Sequence, residues 1–280
     1  MKSKALASRR LNGVSRCSSL SFLTLPLLII FHLSCSVRED RDLCPCVLEL
    51  VFAERDSTML RDGVLVRVIT ETEKNETIVQ QDTIRIRGDL SYKMSVAKGV
   101  SRIMCAWPIS SVSPDWAKPI IVSNGRECPK LWSSHITADT GKDAAIVDAS
   151  LHKNFCTIDL RLRGNKDFRL EARGKICGYG MEGELIEGSY SAQMRKDDES
   201  TMADWTVRVP RQHDNSLKLD IFPSDDIART FSIGNFIEQS GYDWTSPDLK
   251  DIRLEIDYTV TYVSFTIDNW SKTFHFRTEI

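Results

Sequence analysis

The sequence predicts an all-β chain built as two β-sandwiches, and three observations carry that prediction. From residue 47 onward apolar residues recur at every second position in short runs, the period of a half-buried strand. Gly, Asn, Asp and Pro punctuate the runs, and helical periodicity is nearly absent, as in sandwich architecture. Once an export segment is set aside, residues 35–280 remain, long for one domain and natural for two of about 120 residues each.

Taken in order, Leu48, Leu50 and Phe52 share one face of a first strand at 47–52, and Val64, Val66 and Val68 share a face of the next. Ile84-Arg85-Ile86-Arg87 reads as a third strand, closed by Gly88. Ser101 to Trp107 is apolar on both phases, as a central strand would be, and it ends at Pro108, which cannot donate to a ladder. Residues 108–144 carry Pro108, Pro114, Pro119 and Pro129 among Ser, Asn and Gly, and read as a long irregular excursion packed down by Trp116 and Trp132. Alternation resumes at Thr157 to Arg163 and recurs at 206–209, 217–221, 252–256 and 263–267. Only Asp225 to Ile237 has helical or loop character, with Gly234 keeping any helix short. A turn at Asp268-Asn269 leads into a last strand, Phe274 to Ile280. The shift from irregular to alternating sequence at 145–155 places a domain boundary there, giving an N-terminal sandwich at 35–148 and a C-terminal one at 149–280.

The export segment is residues 1–34. Lys2, Lys4, Arg9, Arg10 and Arg16 precede an apolar run from Leu20 to Leu33, and no acidic residue interrupts the first 19 positions. Basic start, short apolar core and small-residue cleavage site make a signal peptide. The run is shorter than the ~20 residues of a bilayer span. Leu33-Ser34-Cys35-Ser36 then reads as a lipobox. Cleavage falls between Ser34 and Cys35, and Cys35, acylated on thiol and amine, becomes the first residue of the mature protein. Three acyl chains exceed what stable anchoring requires.

A net charge of −2, with no long basic run, gives no electrostatic case for nucleic acid. Of eight cysteines, Cys17 leaves with the signal and Cys35 carries lipid. Cys44, Cys46, Cys105, Cys128, Cys156 and Cys177 remain, an even number that permits disulfides in an exported protein without requiring them. Cys156 shares the phase of Ile158 and Leu160 and reads as a buried thiol. Cys44-Pro45-Cys46 lacks metal-site spacing, and a bridge between residues so close would be strained. Gly178-Tyr179-Gly180-Met181-Glu182-Gly183 matches G-x-G-x-x-G by letter but lacks the strand–helix context of a dinucleotide site, so its glycines read as turn and bulge positions. His135, His152, His213 and His275 have no partner spacing, and Asp197-Asp198-Glu199 reads as a polar hairpin tip rather than a calcium loop. No catalytic residue, metal site or cofactor is expected, and the chain reads as a non-enzyme.

Cys35, Arg38-Glu39-Asp40-Arg41 and Cys44-Pro45-Cys46-Val47-Leu48-Glu49-Leu50 together resemble the start of the anchor-subunit lipoproteins of type V fimbriae. Further similar features are the strand ending at Trp107-Pro108, Ala149-Ser150-Leu151-His152-Lys153 before a strand, and Trp244 with Asp248-Leu249-Lys250-Asp251-Ile252. The resemblance implies two tandem transthyretin-like, Greek-key sandwiches on an outer-membrane, surface-facing lipoprotein at the base of a fimbrium. It implies that Arg38, Glu39 and Asp40 act as an export signal to the outer leaflet, that fimbrial shaft subunits (fimbrillins) are the partners, and that the chain limits fimbrial length. It also implies that the first strand is retained, uncut at Arg38, Arg41 and Arg55. The joint would be β-augmentation, in which main-chain bonds give affinity and alternate side chains give register. The terminal strand, through Phe274, Phe276, Thr278 and Ile280, is the candidate, against the simpler reading that it completes the second sandwich. The alternative function is a surface lipoprotein that binds glycans on Trp107, Trp116, Trp132, Trp205, Trp244 and Trp270.

Overall fold

The computed structural model describes residues 44–111, 118–163, 168–196, 205–223, 228–258, 262–267 and 270–275. Residues 1–34, where a signal peptide is expected, Cys35, the Arg38-Glu39-Asp40 segment, Trp116 and Asp197-Asp198-Glu199 lie outside the described residues.

The two-residue period is realised from the first strand. In β1 (Cys46–Val51) Cys46, Leu48 and Leu50 are fully buried while Val47 and Val51 face outward. A 3-10 turn at Glu54–Asp56 leads into α1 (Ser57–Asp62), which Gly63 ends at φ +118°. There follow β2 (Val64–Glu71), β3 (Thr77–Ile84), β4 (Ser91–Val96), β5 (Val100–Trp107), β6 (Ile120–Ile121), β7 (Trp132–Asp139), β8 (Ala144–Asp148) and β9 (His152–Lys153). The second half contains β10 (Phe155–Arg163), β11 (Phe168–Tyr179), β12 (Leu185–Gln193), β13 (Arg195–Lys196), β14 (Trp205–Pro210), β15 (Lys218–Pro223) and β16 (Arg229–Phe231). It closes with α2 (Ile233–Gln239), β17 (Ile252–Tyr258), β18 (Tyr262–Ile267) and β19 (Trp270–His275).

These strands form four sheets: A, ordered β4-β1-β8; B, β3-β2-β5-β7-β9; C, β12-β11-β15-β16 with β6 also on β11; and D, β13-β14-β10-β17-β18-β19. The all-β sandwich prediction holds, and the strand orders reveal a repeat. In each half the first strand lies between an antiparallel and a parallel neighbour, β1 between β4 and β8, and β10 between β14 and β17. The facing sheets are equivalent too, β3-β2-β5-β7 matching β12-β11-β15-β16. The same seven-strand plan is therefore used twice, and the β18–β19 hairpin is an extension of the second copy.

One hydrophobic core lies between sheets A and B, built from Leu48, Leu50, Phe52, Val64, Val66, Val68, Ile103 and Cys105. A second, between sheets C and D, takes in Ile158, Leu160, Tyr190, Leu219 and Ile256. It also claims Leu65, Met104 and Ala106 from β2 and β5, whose other phase serves the first core. That is why Ser101 to Trp107 is apolar on both phases.

Several sequence expectations need correction. The stretch 108–144 is not irregular throughout: β7 pairs with β5 along eight residues, from Val100↔Asp139 to Trp107↔Trp132. Its alternation is hidden because Ser133 and Ser134 occupy buried positions, Ser133 accepting from Asn154 Nδ2 at 2.8 Å and Ser134 donating to the Ala149 carbonyl at 3.2 Å. The third strand is Thr77–Ile84, not Ile84 to Arg87; as an edge strand exposed along most of its length it carries no apolar signature. α1 was not expected. The helix in the 225–237 region is Ile233–Gln239, and a Cβ on Gly234 would collide with the Asn215 carbonyl oxygen, so this glycine permits close approach rather than ending the helix. The last described strand begins at Trp270, four residues before Phe274.

Gly178 illustrates what close approach requires. A Cβ there would meet the Ile120 carbonyl oxygen, because β6 pairs at Gly178↔Ile121. Gly178→Ala is expected to lower stability by about 1–3 kcal/mol, measured as a reduced urea midpoint at unchanged slope, whereas Gly88→Ala, with nothing within 4 Å, should incur only its positive-φ strain, about 1 kcal/mol.

Candidate functional site

Of the sequence-predicted site residues, Ser34, Cys35, Arg38, Glu39 and Asp40, and Phe276, Thr278 and Ile280, lie outside the described residues. Phe274 lies on β19, its backbone opposite Val263 of β18. β19 is the terminal strand of sheet D, and no strand borders its other edge among the described residues. At the opposite end, the chain enters the fold at exposed Cys44, and β1 is fixed at once by a bond from the Val47 N–H to the Asp143 carbonyl at 2.9 Å.

The structure brings together two segments that the sequence reading named separately, 149–153 and 244–252. The Lys153 N–H donates to Asp248 Oδ1 at 2.9 Å, and Arg55 Nη1 donates to Asp248 Oδ2 at 2.8 Å. His152 Nδ1 lies 3.3 Å from the same oxygen. Asp251 Oδ1 accepts from Lys153 Nζ at 2.6 Å and from the Thr157 N–H at 2.8 Å. Burial alone would raise the pKa of Asp248, but the Lys153 amide, His152 and Arg55 outweigh it and hold the carboxyl below its ordinary value. Asp251 is likewise held low against burial, chiefly by Lys153 and the Thr157 amide.

Beside this pair sits Arg211. It donates to the carbonyls of Trp244 and Ser246, both at 2.6 Å, to that of Pro247 at 2.9 Å, and to Asn154 Oδ1 at 3.2 Å. Burial lowers its pKa, and carbonyl dipoles supply much of the compensation for the desolvated charge. Tyr179 donates to the Asn154 carbonyl and accepts from the Arg211 N–H. Asp56, fully buried, accepts the amides of Ala53 and Leu151 at 3.2 and 3.0 Å through one oxygen, tying the turn after β1 to the segment before β10. The roles of Arg55, Arg211 and Tyr179 in this cluster were not readable from the sequence because their partners are spatial.

The G-x-G-x-x-G letters form the tip of the β11–β12 hairpin, as a turn should. The Gly180 N–H donates to the Glu184 carbonyl at 2.7 Å, and Gly183, at φ +86°, lies so close to the His135 ring that a Cβ would clash with it. Glu182 at this tip pairs with Arg102 of β5, which also holds Glu71 at 2.9 Å.

The six cysteines among the described residues are free thiols, with Cys44 exposed and the others buried. Burial pushes the pKa of each of Cys105, Cys128 and Cys156 up to about 12, so these thiols stay protonated and are poor nucleophiles. Among the described residues no group of three or more His, Cys, Asp or Glu is placed to hold a metal ion, and no helix is long and apolar enough to cross a membrane.

No family model matches the sequence, and no curated protein matches it. Solved structures do. A protein from Bacteroides ovatus described as an adhesin aligns at TM-score 0.61 and 11% identity, over 83% of this chain and 96% of its own. One from Bacteroides thetaiotaomicron, described as polysaccharide binding, aligns at TM-score 0.58 and 10% identity, over 84% and 99%. A second B. thetaiotaomicron protein, described as an adhesin, aligns at 0.53 and 11%, over 81% and 97%. The chain has the fold of these Bacteroides proteins. At such identity the likeness is one of fold, and it spans both sandwiches.

The carboxylate cluster generates a pH prediction. Asp248 and Asp251 have folded pKa values below the unfolded value of about 3.9, so their contribution is complete above that pH and is lost as pH falls through the lower folded values. The wild type is expected to lose more stability between pH 6 and pH 3 than Asp248→Asn or Asp251→Asn, measured by chemical unfolding at each pH.

Proposed function

We propose that this chain is an outer-membrane lipoprotein, acylated at Cys35 after removal of residues 1–34, that anchors the base of a fimbrium to the cell surface. In this reading Arg38, Glu39 and Asp40 direct it to the outer leaflet. Residues 35–148 and 149–280 are its two domains, and it joins a fimbrillin shaft subunit, limiting fimbrial length, by strand addition at the C-terminal end.

The observation that carries the reading is the position of β19. The β18–β19 hairpin lies beyond the repeated seven-strand plan and leaves the last described strand on a sheet edge that no strand borders among the described residues, immediately before Phe276, Thr278 and Ile280. An exposed edge is usually a liability that proteins blunt; in an assembling subunit it is the joint. The fold likeness to a B. ovatus protein described as an adhesin supports a cell-surface role, and the resemblance of Cys35 to Leu50 to fimbrial anchor subunits supports the lipid-tethered form of it.

The glycan-binding alternative draws on the likeness to a protein described as polysaccharide binding. Against it stand the tryptophans. All five among the described residues are buried or half-buried, and Trp107, Trp132, Trp244 and Trp270 pack against other aromatic rings. Sugar stacking needs an open face.

Metabolic acyl labelling of the wild type and Cys35→Ala should mark only the wild type, with surface-protease sensitivity lost alongside the label; label retained on Cys35→Ala would end the lipoprotein reading. Removing residues 276–280 leaves the β18–β19 ladder intact and should abolish co-purification with the shaft subunit while lipidation persists. A truncated chain that folds and still binds would move the joint elsewhere.

A further inference from the structure

The repeated plan makes an internal comparison possible. In the second half the outer edge of β17 carries β18, antiparallel, from Leu254↔Ile267 to Tyr258↔Val263. The equivalent edge in the first half belongs to β8, and no strand borders it among the described residues. That edge is unusually apolar. Ile146 is 70% exposed, the most exposed large hydrophobic residue described, and Val47 and Val51 on the same face of adjacent β1 are 44% and 38% exposed.

The backbone phase of β8 is fixed by two bonds. Val47 N–H donates to the Asp143 carbonyl at 2.9 Å, and Ala149 N–H donates to the Val51 carbonyl at 2.7 Å. In the parallel register Val47↔Ala144 to Val51↔Asp148, Asp143, Ala145, Val147 and Ala149 therefore turn their backbone groups toward β1. Ala144, Ile146 and Asp148 turn theirs outward, because donors and acceptors alternate sides along a strand. These same three residues have exposed side chains.

We propose that this edge binds a second copy of the chain, with β8 antiparallel to its counterpart about a two-fold axis at Ile146. The edge is complementary to itself. Antiparallel residues that face each other with outward backbone groups exchange both hydrogen bonds, and the two-fold register pairs Ile146 with Ile146 and Ala144 with Asp148. All the outward groups of Ala144 to Asp148 are thereby used, and sheet A continues as β4-β1-β8-β8-β1-β4. The exposed isoleucines meet across the axis. Exposed Lys142 falls diagonally opposite Asp148 of the other copy, within reach of a favourable pair. Asp148 is held as a carboxylate by the Ser150 hydroxyl and amide. An isologous contact of this kind closes at two copies and does not propagate. It uses a different edge from β19, so the dimer does not depend on the shaft-joining reading.

The test is sedimentation equilibrium of the full lipidated chain in detergent micelles over a dilution series, with detergent mass matched out. The wild type should show a reversible monomer–dimer equilibrium. Ile146→Lys sets like charges opposite each other and should weaken it at least about tenfold. Ile146→Pro removes an outward N–H without touching the β1–β8 ladder and should do the same. Circular dichroism and melting temperature establish that each variant is folded; should the proline variant be unfolded, Ile146→Lys, altered only at a side chain already in solvent, decides. A wild type that stays monomeric throughout, or a dimer that both folded variants preserve, overturns the proposal. So does a cross-linker placed at residue 146 that captures only a different protein in membranes.

Discussion

The structure depends on a sheet that is apolar on both faces. In β2 and β5, Val64, Val66, Val68, Ile103 and Cys105 fill the first core, while Leu65, Met104 and Ala106 on the alternate phase enter the second. Trp132 packs against both cores and meets Trp107 at 5.3 Å and Phe155 at 4.9 Å, each edge-on. Burying a large apolar side chain contributes about 1.5–3 kcal/mol, so Leu65, Met104 and Phe155 together contribute several, a sizeable share of a typical domain's net stability. Separating the halves would expose that face to water.

Polar groups then fix the geometry that apolar contact leaves loose. Asp248 gathers Arg55 from the first half and Lys153 from the connection, and Arg211 holds the carbonyls of Trp244, Ser246 and Pro247 against Asn154. The exposed Arg55–Asp248 pair adds little energy by itself. The half-buried Arg211 cluster is different: removing its guanidinium would leave the part-buried carbonyls of Trp244 and Ser246 without that donor.

The sequence disclosed the parts of this fold that alternation encodes. β1, β10 and β17 carry one clean apolar phase, and β5 carries two, which marked it as the central strand it is in sheet B. β3 and β7 were hidden for opposite reasons: β3 is an edge with little to bury, and β7 buries serines that are satisfied by hydrogen bonds. α1 is too short to show a period. For the proposed site, Cys35 and its surroundings offered a linear pattern, the kind of signal that needs no fold to be recognised. The Asp248 and Arg211 clusters were not, because Arg55 and Asp248 are 193 positions apart and nothing local announces their meeting. The glycines at 178–183 were readable as a turn, but only the structure gives their reason, the approach of Ile120 and His135.

The repetition of one seven-strand plan ties these points together. Each copy has its own core, and the face shared through β2, β5 and Trp132 makes them a single cooperative body. Scanning calorimetry of the full chain tests that claim most directly. Cooperative coupling predicts one unfolding transition, with calorimetric and van't Hoff enthalpies equal, that divides into two when Trp132→Ala removes the shared aromatic contact. Two resolved transitions in the wild type would contradict it.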